Sequence, residues 1–360
     1  MAPELLWYIP NTVEPGHRGD TNADGWGSLD YSVDLARQCE LHHWSGALLG
    51  TGWGRPDTFT VAAALAARTS TFKPLIAVRP GYWSPAQFAS AAATLDDLSN
   101  GRVLVNIVSG QDAPAAYGDD QVDQPTRYAR TREFMRLTRR LWTEESVTFR
   151  GEHYRVTDAT IAPRPVVAGE RLHPTLYFGG ASPAAEETAA AEADVQLFWG
   201  EPLDGIAERV ERLRGLEQRY DRVRPLEFGL RITTVVRETS GQAWRDAEAK
   251  VAALARASHA TDRHHDQNRG TPAVGQQRLI DLQRRGDVLD TCLYTAPGRV
   301  GGGGAGTTWL VGSGDEVVAA LRAYQALGIT HFVLSDTPYR EETARVGDAV
   351  AAVMGASVPA

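Results

Sequence analysis

The stretch Thr175–Pro202, TLYFGGASPAAEETAAAEADVQLFWGEP, sets Gly179-Gly180-Ala181-Ser182 between an apolar run and an alanine-rich helical segment. Paired glycines let a backbone approach a ligand closely, Ser182 is a good N-cap, and Pro183 suits the first helical position. A helix start of this kind presents free N–H groups, and a phosphate fits there. The same residues also make a serviceable structural turn from strand to helix, so both uses stand at this point. The turn carries neither G-x-x-x-x-G-K-[ST] nor G-x-G-x-x-G, which sets aside a P-loop and a Rossmann turn. GGGGAG, from Gly301, follows no convincing strand and is expected to be a flexible lid hinge.

Arg231 stands on an otherwise apolar strand, where a guanidinium needs an internal carboxylate or a ligand anion. His17, in PGHRGD, lies on the loop after the first strand, where an imidazole can relay a proton. Asp20 and Asp336 are surface-loop carboxylates by default. His42, His43, His259, His264 and His265 lack any H-E-x-x-H or comparable ligand spacing, so no metal is expected. Cys39 and Cys292 are far apart in the chain and form no C-x-x-C pair, which points to reduced, buried thiols.

What must position these residues is a repeated alternation of short apolar runs with longer stretches of helical period. Eight strands are expected: LLWYIP from Leu5, GALLGT from Gly46, KPLIAVRP from Lys73, RVLVNIVSG from Arg102, TLYFGG from Thr175, VQLFWGE from Val195, EFGLRITTVVRE from Glu227 and THFVLSD from Thr330. Helices are expected at 32–43, 57–68, 85–98, 126–141, 183–193, 203–219, 241–257, 315–327 and 341–354. Strands apolar on both faces need cover on both sides, which a (β/α)8 TIM barrel supplies. The chain is thus expected to be a single barrel domain over 1–360, with one insertion at 143–172 after the fourth helix and another at 258–309, a candidate lid.

In such a barrel the reacting groups follow the carboxyl ends of the strands. That gathers Trp53, Gly54, Arg55, Arg79, Tyr82, Trp83, Ser109, Gln111, Gly180 to Ser182, Trp199, Glu201, Asp336, Thr337 and Tyr339 at one mouth. With 360 residues, 42% hydrophobic and a net charge of −8, the chain is ordinary for a globular protein and has no basic surface to hold nucleic acid. No window has the run of apolar residues that spans a bilayer, and MAPELLWYIPN is not a secretory signal, so a cytoplasmic location without membrane contact is expected.

The chain resembles the alkanesulfonate monooxygenases of the bacterial luciferase-like superfamily. The resemblance rests on AATLDDLSNGRVLVNIVSGQD, RYARTREFMRLTRRLW, PTLYFGGAS, LFWGEP, FGLRITTVVRET, VGQQR, GGAGTTWLVG and LGITHFVLSDTPYREETARVG, in this order. It implies a TIM-barrel enzyme in which FMN, reduced to FMNH2 by a separate NAD(P)H-dependent flavin reductase, and O2 together oxidise a small organic substrate. It also implies that Gly180, Ala181 and Ser182 face the FMN phosphate, that Asn106 and Ser109 lie beside the isoalloxazine, that Tyr128 is a further cofactor contact and that Trp199 lines the mouth. Relatives imply a homo-oligomer, dimer or tetramer. A buried Asn can donate and accept at a ring edge, or be satisfied by backbone.

The sulfonate pattern is broken in several places. Arg55 stands where those enzymes carry Cys after strand two, Thr233 where they have His, Gly302 where a lid arginine precedes GGAGT, and Thr337 where strand eight brings Tyr. Arg231 alone remains of the set expected to hold a sulfonate, although Arg55 and Arg299 can restore positive charge from elsewhere. Trp53, Tyr82, Trp83 and Trp309 add aromatic faces suited to stacking a planar ligand, or to packing on the lid or on FMN itself. The expected substrate is therefore planar and heteroaromatic, by analogy with the riboflavin lyase-like branch. An organosulfur oxygenase with a rearranged anion site and a flavin-binding protein without turnover are the alternatives.

Overall fold

The computed structural model describes residues 2–12, 20, 25–52, 54–109, 118–119, 123–261 and 273–355, without the side chains of 257–261. His17, Trp53, Gln111, His264 and His265, and the side chain of His259, lie outside the described residues.

Helix starts are written in the chain as caps. Strand β1 (Glu4–Ile9) leads to α1 (Leu29–Leu41), whose Tyr31 N–H donates to Ser28; β2 (Gly46–Leu49) leads to α2 (Thr58–Ala66), capped by Asp57. After β3 (Lys73–Val78) and α3 (Pro85–Leu98) come β4 (Leu104–Ile107) and α4 (Gln124–Thr143). The cap Asp123 and Pro125 start α4 two residues earlier than its apolar period suggests. The segment after α4 is an antiparallel hairpin of β5 (Val147–Arg150) and β6 (Arg155–Ala159), whose turn amides donate to Glu133 of α4.

The chain returns through β7 (Thr175–Gly179), α5 (Pro183–Glu192), β8 (Val195–Trp199), α6 (Leu203–Glu217), β9 (Glu227–Arg237) and α7 (Ser240–Thr261). Beyond 272 come α8 (Val274–Asp281), the short strands β10 (Val288–Leu289) and β11 (Leu293–Tyr294), β12 (Trp309–Ser313), α9 (Gly314–Ala326), β13 (Ile329–Ser335) and α10 (Tyr339–Val346). A Ser313–Glu316 capping box begins α9.

Every neighbouring pair in the ring β1-β2-β3-β4-β7-β8-β9-β13 is parallel, and the β13–β1 pairing closes it. These are the eight strands expected from sequence, and they form the TIM barrel. Leu6, Trp7, Leu75, Val105, Leu176 and Leu230 are among the residues that bury both strand faces. Near the amino-terminal end of the barrel the Tyr177 hydroxyl lies 2.9 Å from His331 Nδ1, and His331 Nε2 lies 2.7 Å from Glu227. Burial pushes the Tyr177 hydroxyl well above its ordinary pKa.

One element departs from the eightfold pattern. Strand β9 has 11 residues and outruns β8, whose last pair is Trp199 with Arg231. The edge left open, Thr233 to Arg237, is taken by β12, and β10 and β11 extend the sheet outward. Trp309 therefore opens a strand instead of hanging from a lid. Its ring packs with Tyr294, 6.3 Å away, in a separate cluster beneath α7, and its indole N–H donates to Gly306.

Candidate functional site

The barrel's carboxyl end holds a cavity of about 350 Å³, lined by residues from seven of the eight barrel strands or the turns that follow them. That is the size range of small-molecule and cofactor pockets. The turn after β7 forms one wall. Gly180 has φ +143°, and a Cβ there would sit 2.5 Å from Ala185 Cβ, so only glycine fits. Ser182 caps α5 with its Oγ accepting from the Ala185 N–H at 3.2 Å, and Pro183 follows. Among the described residues, the Ala181 and Ser182 N–H groups have no acceptor. Both residues line the cavity, so its wall includes the donor set an anion requires.

Asn106 stands on β4 beside Ala77 and Tyr177, and alternation turns its side chain into the barrel. It is 9% exposed, and no described residue hydrogen-bonds its amide. A buried amide with open capacity facing a cavity is poised for a polar ligand edge. Ser109 also lines the cavity, with its hydroxyl 2.5 Å from that of Thr131 on α4. Tyr128 packs edge-on to Phe178 and reaches toward Gly180, where its hydroxyl lies 3.7 Å from the position a Cβ would take.

Trp199 ends β8 and lines the same cavity. Gly275 and Gly304 both approach its ring, where added Cβ atoms would lie 3.4 and 3.5 Å away. The glycine run from 301 is thus packed structure and not the expected hinge. Gly302 has no room for a Cβ against the Gly306 and Pro297 carbonyls, and Gly304 N–H donates to Gln276 at 2.7 Å. Thr233 donates to the Ala305 carbonyl at 3.0 Å and ties this segment to β9.

Arg231 is 4% exposed and also lines the cavity. Its guanidinium lies 4.6 Å from the centre of the Tyr8 ring and donates to Ser335 Oγ at 2.9 Å and to the Val333 carbonyl at 3.3 Å. In the ring of strands β1 is four places from β7, so Tyr8 faces the glycine turn across the barrel.

The aromatic substrate wall read from the sequence is built differently. Trp83 packs against Phe59 and Phe88, with centroids 5.6 and 6.0 Å away, because α2 and α3 cover its ring. Arg55 folds back over Gly52, and neither it nor Tyr82 lines the cavity. Trp309 is buried under α7, as described above. Of the expected aromatic stackers this leaves Trp53, outside the described residues. Among the described residues, the rings that line the cavity are Tyr8, Tyr128 and Trp199.

Sequence reasoning missed Tyr8, Gln124, Arg209 and the amino terminus of α8, Ala273 to Gly275, all of which line the cavity. Arg209 is 2% exposed and holds Glu186 Oε1 at 2.9 Å, Glu201 Oε1 at 2.8 Å and the Gly180 carbonyl at 2.5 Å. Glu201 in turn accepts from Arg278 of α8, raising the pKa of that arginine. The one sequence signal was an arginine on the helix face that α6 turns to the core. Among the described residues no group of three or more His, Cys, Asp or Glu could hold a metal, and no helix is long and apolar enough to cross a membrane.

A parallel eight-stranded barrel with a cavity at the carboxyl ends of its strands is the arrangement in which TIM-barrel enzymes carry their sites. The chain matches the model of the luciferase-like monooxygenase family over residues 4–331 and belongs to that family. It is similar to the crystal structure of riboflavin lyase with modified FMN and substrate riboflavin, at 19% identity and TM-score 0.75, covering 98% of this chain and 91% of that one. EDTA monooxygenase from Chelativorans sp. BNC1 is similar at 16% identity and TM-score 0.75, covering 98% and 93%. The coenzyme F420 dependent tetrahydromethanopterin reductase from Methanopyrus kandleri is similar at 16% identity and TM-score 0.69, covering 98% and 100%.

Proposed function

We propose that this chain is an FMN- and O2-dependent monooxygenase that works with a separate NAD(P)H-dependent flavin reductase and oxidises a planar heteroaromatic substrate such as riboflavin. The observation that carries the reading is the pairing, in one cavity, of the open α5 amides at Ala181 and Ser182 with the unpartnered Asn106 amide. One end suits a phosphate and the other a polar ring edge. The bound cofactor, once reduced, supplies two electrons for the activation of O2, one atom of which enters the substrate.

The protein's own residues bind, orient and exclude water. Gly180 lets the backbone come close to the phosphate, and Ala181 and Ser182 donate to it. Asn106 orients the ring edge, with Ser109 beside it. Leu48, Ile107, Val108 and Leu197 line the cavity with apolar groups that keep water from the reacting centre. Arg231, over the Tyr8 ring, donates to an anionic or carbonyl group of the substrate, and Tyr8 and Trp199 offer it flat faces.

The test is anaerobic titration with FMNH2, followed by 18O2 exposure with riboflavin and a panel of planar heterocycles. The expected result is FMNH2 binding and label in one product. No binding of either redox form of FMN, or no label in any product, removes the reading. The buried Arg231 on the cavity wall favours one second reading, an organosulfur monooxygenase, and sulfite released from an alkanesulfonate panel would select it.

A further inference from the structure

Gly180 contributes its carbonyl to two donors that belong to no other part of the proposed reaction. Arg209 Nη2 donates to it at 2.5 Å and Gln196 Nε2 at 3.0 Å. Both side chains are buried, and Arg209 is also fixed from behind. Arg209 comes from α6, sits over the Phe198 ring with its guanidinium carbon 4.6 Å from the centroid, and is clamped between Glu186 and Glu201. Gln196 comes from β8, and its Oε1 is buried with no partner among the described residues.

A trans peptide points its C=O and the following N–H in opposite directions. The carbonyl that Arg209 and Gln196 hold belongs to the same peptide as the Ala181 N–H, which has no acceptor among the described residues. At a glycine, peptide rotation is the cheapest rearrangement, because no Cβ opposes it. Left alone, the 180–181 peptide can turn its carbonyl toward the cavity and repel an anion. Pinned by two donors, one of them charged, it keeps its N–H facing the phosphate.

We infer that Arg209 and Gln196 are positioning residues for phosphate recognition: by holding the Gly180 carbonyl they aim the Ala181 N–H into the anion site. The inference rests on the FMN reading. It predicts selectivity between FMN and riboflavin, which differ only in the phosphate, and assigns that selectivity to the two residues that hold the turn's carbonyl; Arg209 also lines the cavity, so Gln196, outside that lining, isolates the positioning role. Arg209 also joins the turn through Glu201 to Arg278 of α8, so the second wall of the site shares the same support.

The experiment measures Kd for oxidised FMN by fluorescence titration and Kd for riboflavin by its displacement of bound FMN, so that both values report the cofactor site, in the wild type, Arg209→Lys and Gln196→Met. Lysine keeps the charge between Glu186 and Glu201 but cannot span three acceptors. Methionine preserves volume and removes a buried acceptor without a partner, so Gln196→Met is the variant expected to fold without penalty. The expected result is a wild type that prefers FMN, a preference that drops about tenfold or more in each variant, and an unchanged riboflavin Kd; tenfold is the scale of one charge-assisted bond. A merely structural role would weaken both ligands together. FMN preference retained in folded Gln196→Met, or equal losses for FMN and riboflavin, overturns the inference. A wild type that binds neither flavin overturns the FMN reading instead.

Discussion

At Gly180 conformation and space make the same demand. Its φ of +143° lies where side chains are rarely found, and Ala185 occupies the Cβ position. Gly180→Ala is expected to cost about 1–3 kcal/mol of stability, the usual scale of a strained backbone site, and to weaken FMN binding. Urea denaturation and flavin titration check both, and wild-type values in the two would show that the turn tolerates a Cβ. Glu342 carries a second residue-scale prediction. Burial, with the Asp336 charge next, pushes its pKa up to about 7, against the lowering influence of Lys250, Arg237 and Arg345. Unfolded, the carboxyl releases its proton near its ordinary value of 4.5. Between these limits the folded state binds more protons, so this group's contribution to stability falls as pH rises from about 4.5 to about 7. Glu342→Gln is expected to remove that part of the slope in urea midpoints measured across the window. Parallel curves for variant and wild type would refute the assignment.

At the scale of elements, the length of β9 decides what surrounds it. Because it extends past β8, it recruits β12, and Trp309 becomes part of a packed layer with Val235, Ala243, Tyr294 and Val311. Trp309→Ala is therefore expected to cost about 3–5 kcal/mol of stability, as for a large buried aromatic, while the Kd of the folded protein for flavin stays within about twofold on the additivity scale for separate sites. A loss of ligand affinity with full stability would return Trp309 to the cavity wall. The helix starts show how much of the element scale is local. Ser28, Asp57, Asp123, Ser182 and Ser313 each accept from a backbone N–H three residues on, a bond that needs no tertiary contact to be foreseen.

For the molecule as a whole, one core runs through all eight barrel strands, and a smaller cluster under α7 stands apart from it. Hydrogen exchange is expected to release α7 amides at lower free energy than those of β1 to β4, since fewer buried contacts hold the outer layer. Equal protection in both regions would show a single cooperative unit. Added FMN is expected to slow exchange at the amino terminus of α8, which lines the cavity beside the α5 turn, where a Cβ on Gly275 would lie 3.5 Å from Ala181 and 3.4 Å from Trp199.

The eight strands, their order and the barrel were legible because each depends on a local period and on burial of both faces, which the residues carry in themselves. So was the turn from β7 into α5, since the positive φ of Gly180, the Ser182 cap and Pro183 at the first helical position are local features. The expected substrate wall was not. Whether Trp83, Tyr82 or Trp309 faces a cavity or a neighbouring helix depends on which helix arrives over it, and strand-end position alone does not say so. Arg209 was hidden for the same reason. Its three partners, Gly180, Glu186 and Glu201, lie 29, 23 and 8 residues away, and only closure of the barrel brings them to one guanidinium.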